Sequence, residues 1–152
     1  QSFDRDCFYA KPESNWFYSN PASLNTIKLG VIADYSYGDD IDNWTKANAD
    51  KVNTASGDQP LQDNLAVLAK GDIDALIESS AVMQWTLMQS ATPLKIRQAG
   101  CTGKGEELFI AISPKQPDAQ VLAQKLSTTV ATMRANGELK KLLAKYSLYD
   151  WK

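Results

Sequence analysis

The run LAVLAKGDIDALIESS, residues 65–80, holds a helix, its stop and a strand in immediate succession. Leu61, Leu65, Val67 and Leu68 make an apolar stripe at helical spacing. Lys70 puts a positive charge in the last turn, and Gly71 can take the left-handed conformation that ends a helix. Asp72 belongs to the break, and residues 73–77 then form a short apolar run that reads as a buried strand. The chain emerges at Glu78, Ser79 and Ser80, where polar groups could meet a ligand. Ser79 or Ser80 is expected to cap a further helix to about Gln89, with Val82, Trp85 and Met88 against the core.

The same alternation extends to both sides. Residues 26–32 are β-branched and nearly alternating, as a strand requires, and lead through Ala33-Asp34-Tyr35-Ser36-Tyr37-Gly38 into a helix over 39–47 with acids in its first turn. A short strand is expected at 51–53, another at 94–98 and a last one at 108–113. Two helices follow, the first carrying Val121, Leu122, Leu126, Val130 and Met133 and ending at Asn136-Gly137, the second carrying Leu139, Leu142, Leu143 and Tyr146. Residues 12–21 are rich in Ser, Asn, Pro and aromatics without a sustained period and read as a surface loop. Strands alternating with helices define an α/β domain with a largely parallel sheet. Ligands of such sheets gather outside the carboxyl ends of the strands. The loop over 34–38 lies at such an end, with a helix amino terminus behind it that aims N–H groups at an anion.

Composition narrows the function. The chain has 152 residues, a formal net charge of −2 and no histidine. Interspersed acids and bases leave no basic stripe for phosphates, so no nucleic-acid partner is expected. Without histidine there is no Ser-His or Cys-His pair, no imidazole base and no His-ligated zinc. No phosphate-binding or dinucleotide fingerprint occurs, so neither cofactor nor metal is expected. No apolar run approaches the roughly 20 residues that span a bilayer. The two cysteines, Cys7 and Cys101, belong to no metal-ligand cluster. They are either two buried thiols or a disulfide between adjacent strand ends; the bridge would add about 4 kcal/mol in the chain-entropy model and imply an oxidising compartment.

In order and spacing, Ile27-Lys28-Leu29-Gly30-Val31 with its polar loop, Gly71-Asp72-Ile73-Asp74-Ala75, the 108–113 run, Ala135-Asn136-Gly137-Glu138-Leu139 and Lys145-Tyr146 resemble family 3 extracellular solute-binding proteins. These are the type II periplasmic receptors typified by polar amino acid binders. The resemblance implies two α/β lobes closing on a small solute. Residues 4–112 would be the second, ligand-binding lobe, and 113–152 the hinge return and C-terminal helices of an incomplete first lobe. The amino-terminal part of that first lobe, a small domain of ~90 residues, has no counterpart in this chain, and the apolar stripes of the last two helices would then favour a homodimer.

The resemblance also nominates a site. Tyr35 and Ser36 would offer donors to the ligand carboxylate, with Tyr37 as a wall. Where amino acid binders commonly place an aspartate for the ligand ammonium, this chain has Ser79, and Glu78 could supply the charge only if the strand turns it inward. The implied function is non-enzymatic: a periplasmic receptor delivering a small polar solute, such as an amino acid, to an ABC permease. A sensory domain of a signalling receptor is the alternative, and a dehydratase on the same fold a third.

Overall fold

The helix, stop and strand read from residues 65–80 anchor a five-stranded sheet. A computed structural model describes residues 2–150, so the last two residues of the expected 113–152 segment lie outside the described residues. The chain divides into two compact units, Arg5–Gly105 and a smaller one formed by Gln1–Asp4 with Glu106–Lys152.

In the larger unit the elements follow in order: β2 (Asp6–Ala10, after β1, Ser2–Asp4, of the smaller unit), a 3-10 helix (Pro21–Thr26), β3 (Leu29–Ile32), α1 (Asp39–Ala47), a 3-10 turn (Ala49–Lys51), β4 (Val52–Ala55), α2 (Pro60–Lys70), β5 (Ala75–Ser79), α3 (Ser80–Gln89) and β6 (Arg97–Cys101). The spatial order is β4-β3-β5-β2-β6. β3 is parallel to β4 and β5, whereas β2 is antiparallel to both of its neighbours, β5 and β6. β2 is therefore the one reversed strand in a mostly parallel sheet.

Helices cover both faces, as alternation along each strand requires. On one face Phe8, Leu29, Val31 and Ile77 pack with Leu24, Ile41 and Trp44; on the other Tyr9, Ile32 and Leu76 pack with Leu61, Leu65, Leu68, Ile73 and Met83. Fully burying each large side chain is worth about 1.5–3 kcal/mol. Gly71 takes the expected left-handed cap of α2, at φ 85°, and its N–H reaches the Leu68 carbonyl. α2 approaches the sheet over Gly30, where Asn64 is buried, donating to the Val31 carbonyl at 2.9 Å and accepting from Asn53 Nδ2 at 3.0 Å. The 12–21 loop is pinned from within: Arg97 donates to the carbonyls of Ser14 and Trp16, and Tyr18 stacks on Phe8 at 4.2 Å.

Cys7 and Cys101 face each other across β2 and β6 and form a disulfide, which decides between the two alternatives.

Three expectations need correction. The core residue of α3 is Met83, while Val82, Trp85 and Met88 are 46%, 43% and 45% exposed. Apolar residues lie all round this helix, so periodicity selects no face. The strand expected at 94–98 forms three residues later. The strand expected at 108–113 is confined to β7 (Glu106–Leu108), which pairs antiparallel with β1 in the smaller unit.

That unit also holds α4 (Ala119–Ala135) and α5 (Glu138–Ala144), joined through Gly137 at φ 80°. Arg134 pairs with Asp150 at 2.7 Å, and Leu139 is buried. Val121, Leu122 and Leu126 on α4 are exposed.

Candidate functional site

The carboxyl ends of β3 and β5 lie at one edge of the larger unit, where parallel strands hand over to helix starts. The loop after β3 carries Tyr35, Ser36 and Tyr37. The chain reverses at Asp34, φ 63°, and reaches α1 through Gly38, φ 87°. Tyr35 N–H donates to the Ile32 carbonyl at 3.3 Å and Ala33 N–H to the Ala55 carbonyl at 2.8 Å, which tie the loop to β3 and β4.

The three loop residues have different environments. Tyr35 is 58% exposed at the edge. Tyr37 is buried, and its hydroxyl accepts the Ile32 N–H at 2.9 Å, so it acts from beneath the loop. The two rings lie 6.2 Å apart in a tilted pair. The Ser36 hydroxyl donates to Asp42 Oδ2 at 2.6 Å, and the Tyr37 N–H donates to Asp42 Oδ1 at 2.9 Å.

At the end of β5, Glu78 is 2% exposed and opposes Cys7 in the register. Its Oε1 accepts the Ser79 N–H at 2.8 Å. Ser79 caps α3, its hydroxyl accepting the Val82 N–H at 3.2 Å, and Ser80 N–H donates to the Arg5 carbonyl at 2.9 Å.

Electrostatics link the two segments. Burial pushes the Tyr37 hydroxyl far above its usual range; the hydrogen bond from Ile32 works against this, and the charges of Glu78 and Asp6, with Tyr35, add to the rise. Tyr37 is therefore a neutral phenol at physiological pH. For Asp42, burial acts upward, but the Ser36 hydroxyl, the Tyr37 N–H and Lys46 outweigh it, and its carboxyl lies below its ordinary range.

Tyr35, Ser36 and Tyr37 thus share one loop, and Glu78 lies near enough to act on Tyr37, with Ser79 following it at the helix cap. Two participants were not singled out from the sequence. Asp42 reads there as a first-turn acid favouring the helix dipole, although its distance from Ser36 is one that a helix start can close. Asp6 reaches this edge only because β2 runs backwards, which an apolar run does not disclose. Among the described residues no group of three or more His, Cys, Asp or Glu side chains could hold a metal ion. None of the described helices is long and apolar enough to cross a membrane.

No protein-family model matches the chain, nor does any curated protein sequence. Solved structures do match it. The fold is similar to that of an ancestral arginine-binding protein bound to arginine, with 18% identity and a TM-score of 0.67 over 95% of this chain and 61% of that one. It is similar to a mutant of ArgBP from T. maritima, with 14% identity and a TM-score of 0.66 over 95% and 58%. It is likewise similar to the L-cystine solute receptor of Neisseria gonorrhoeae in its unliganded open conformation, with 18% identity and a TM-score of 0.62 over 95% and 56%. The chain therefore spans about 60% of the length of these structures. The α/β architecture is that of solute-binding proteins.

Proposed function

We propose that the chain forms the ligand-gripping lobe and C-terminal helices of an extracytoplasmic receptor for a small polar solute, such as an amino acid. The receptor acts without catalysis and delivers its solute to an ABC permease. The carrying observation is the backbone itself: one α/β arrangement, shared over 95% of this chain with an arginine-binding protein and a cystine receptor, with two loop-helix junctions at one sheet edge. Ligands of such sheets collect at that edge.

Residues 4–112 act as the second lobe, and 113–152 as the return to the first. Tyr35 supplies an exposed aromatic face, Tyr37 holds the loop from beneath, and Glu78 supplies negative charge beside Ser79. Solute binding favours a closed arrangement by contacting both lobes, a population shift whose size is the difference in affinity between states. The disulfide fits an oxidising compartment such as the periplasm. A homodimer through the last helices has no support in the matched structures and is not part of this reading.

A thermal-shift screen of the twenty amino acids, small amines and small carboxylates on the full-length protein tests the proposal. One class should raise Tm with a saturating dose dependence, and Tyr35→Ala should weaken that response. No stabilising solute in any class would refute the receptor function. A hit unaffected by Tyr35→Ala and Glu78→Gln would move the site away from this edge.

A further inference from the structure

Tyr18 and Tyr37 of the larger unit are buried, at 8% and 6% exposure, with hydrogen-bonding capacity left over. The Tyr37 oxygen accepts the Ile32 N–H at 2.9 Å, yet no described residue accepts the Tyr37 proton. The Tyr18 hydroxyl neither donates to nor accepts from any described residue. A buried tyrosine hydroxyl ordinarily finds a partner, and one left without it weakens the fold. The two side chains come from separate segments, the 12–21 loop and the loop after β3, and meet in one cluster with Phe8, Ile41 and Ile77. Tyr18 stacks on Phe8 at 4.2 Å, with its N–H on the Ala99 carbonyl at 2.7 Å, so β2 and β6 fix it. Tyr37 is fixed at Ile32, the last residue of β3. The acids that act on these phenols belong to the carboxyl edge: Asp40, in the first turn of α1, on Tyr18, and Glu78 and Asp6, at the end of β5 and the start of β2, on Tyr37.

With the Ile32 N–H on its oxygen, what Tyr37 has left to offer is its proton, so the group that meets it must accept. The surrounding acids repel a carboxylate at that place. An uncharged oxygen meets both conditions, and the carbonyl of a carboxamide can accept twice. We propose that Tyr18 and Tyr37 are specificity-determining residues that give their phenol protons to the carboxamide oxygen of a solute. Tyr18 thereby extends the site from the 34–38 loop toward β2 and the 12–21 loop. The consequence for the solute rests on the receptor function proposed above, whereas the two unspent donors are a property of this chain alone.

The test uses the full chain with ¹³C at the tyrosine Cζ carbons, titrated with acetamide and, at equal ionic strength, with sodium acetate, which has nearly the same shape. The Tyr18 and Tyr37 resonances should shift saturably with acetamide, and acetate should act at least about threefold more weakly. Tyr146 and Tyr149, both exposed, report non-specific effects and should not saturate. Tyr18→Phe should weaken the acetamide response at Tyr37 by about 2- to 10-fold. It should also leave Tm unchanged or raise it, because the hydroxyl it removes has no partner in the fold, a combination that a merely structural tyrosine does not give. The proposal is overturned if acetamide produces no saturable shift at either phenol, if acetate matches it, or if the Tyr37 response is indifferent to Tyr18→Phe. A Tyr18→Phe chain with a lowered Tm overturns it too, since the hydroxyl would then be spent within the fold. The solute screen reports separately. A chain without any solute would sink the receptor function and leave the acetamide results as they stand, whereas a solute bound as tightly by Tyr18→Phe as by the native chain would overturn this inference and leave the receptor function standing.

Discussion

Replacing Tyr37 with phenylalanine removes one oxygen and creates no cavity, which isolates the part that this hydroxyl plays in holding the candidate site. β3 and β5 are in register at Leu29 with Ala75 and at Gly30 with Leu76. Two residues further on, the Tyr37 hydroxyl accepts the Ile32 N–H at 2.9 Å, doing what a ladder carbonyl does earlier in the strand. Ile32 and Tyr37 are both 6% exposed, so water does not freely replace the lost partner. An orphaned buried donor costs about 1–3 kcal/mol, and the phenylalanine recovers part of this because no hydroxyl has to leave water. The expected destabilisation is about 1–2 kcal/mol.

For a chain of this size that loss lowers Tm by about 2–8 °C, and it should speed hydrogen exchange at the Ile32 amide by about 5- to 30-fold. Urea unfolding gives the global figure, and amide exchange read residue by residue gives the local one. Tyr35→Phe is the control, since a 58% exposed ring should change stability by no more than about 0.5 kcal/mol. A Tyr37→Phe chain as stable as Tyr35→Phe, with Ile32 exchange unchanged, would show that the hydroxyl does not hold the loop.

Three further perturbations probe the frame around the site. A methyl group at Gly30 would lie 2.6 Å from Ile73 Cδ1 and 2.9 Å from Asn64 Oδ1, so Gly30→Ala should cost about 1–3 kcal/mol by overpacking. Because Ile73→Val removes the nearer atom, the double variant should be more stable than the summed singles by about 0.5–1.5 kcal/mol in urea unfolding; strict additivity would contradict the close approach. Replacing Cys7 and Cys101 by serine opens a closure with a sequence separation of 94 and should cost about 4–5 kcal/mol in the chain-entropy model, with amide protection lost first along β6, an edge strand paired only with β2; a loss below about 1 kcal/mol would mean that the unfolded chain is little constrained by the bridge. The folded-state pKa of Asp42 is depressed from 3.8, so its contribution is fully present above the ordinary aspartate range near pH 4 and is lost as pH falls below it. The Ser36 and Tyr37 amides should move together in that acid window, and Asp42→Asn should abolish the movement.

Much of this architecture was legible because local signals agreed with the tertiary outcome. Gly71 could be read as a helix stop because a left-handed residue after a basic last turn has few other uses, and the chain places it at φ 85°. The 33–38 loop and α1 were legible for the same reason: a strand, a small-polar loop and first-turn acids specify a βα junction. Local signals failed where they were degenerate. On α3 the residues Val82, Met83, Trp85, Leu87 and Met88 leave no polar face, so it is the tertiary cluster that includes Cys7, Tyr9, Leu65 and Leu76, and not the helix's own pattern, that takes Met83 into the core. The apolar run over 108–113 has strand composition, yet strand pairing stops at Leu108, because composition supplies no partner.

The residue least legible in its role was Asp6, and the reason bears on the chemistry of the site. Strand direction is absent from the run Phe8-Tyr9-Ala10, which could pair either way with β5. The chain takes the antiparallel choice, so Asp6 is opposite Ser79 and Cys7 is opposite Glu78. A parallel β2 would have brought its last residue, Ala10, to this edge and carried Asp6 to the far one. Reversal therefore does two things at once. It sets Cys7 across from Cys101, where the disulfide can form, and it adds a second acid to Glu78 in the field that acts on Tyr37. Asp42 holds the Ser36 hydroxyl and the Tyr37 N–H at the same loop, so the Tyr37 phenol is positioned by contacts from α1 and β3 while the field that acts on it comes from β2 and β5.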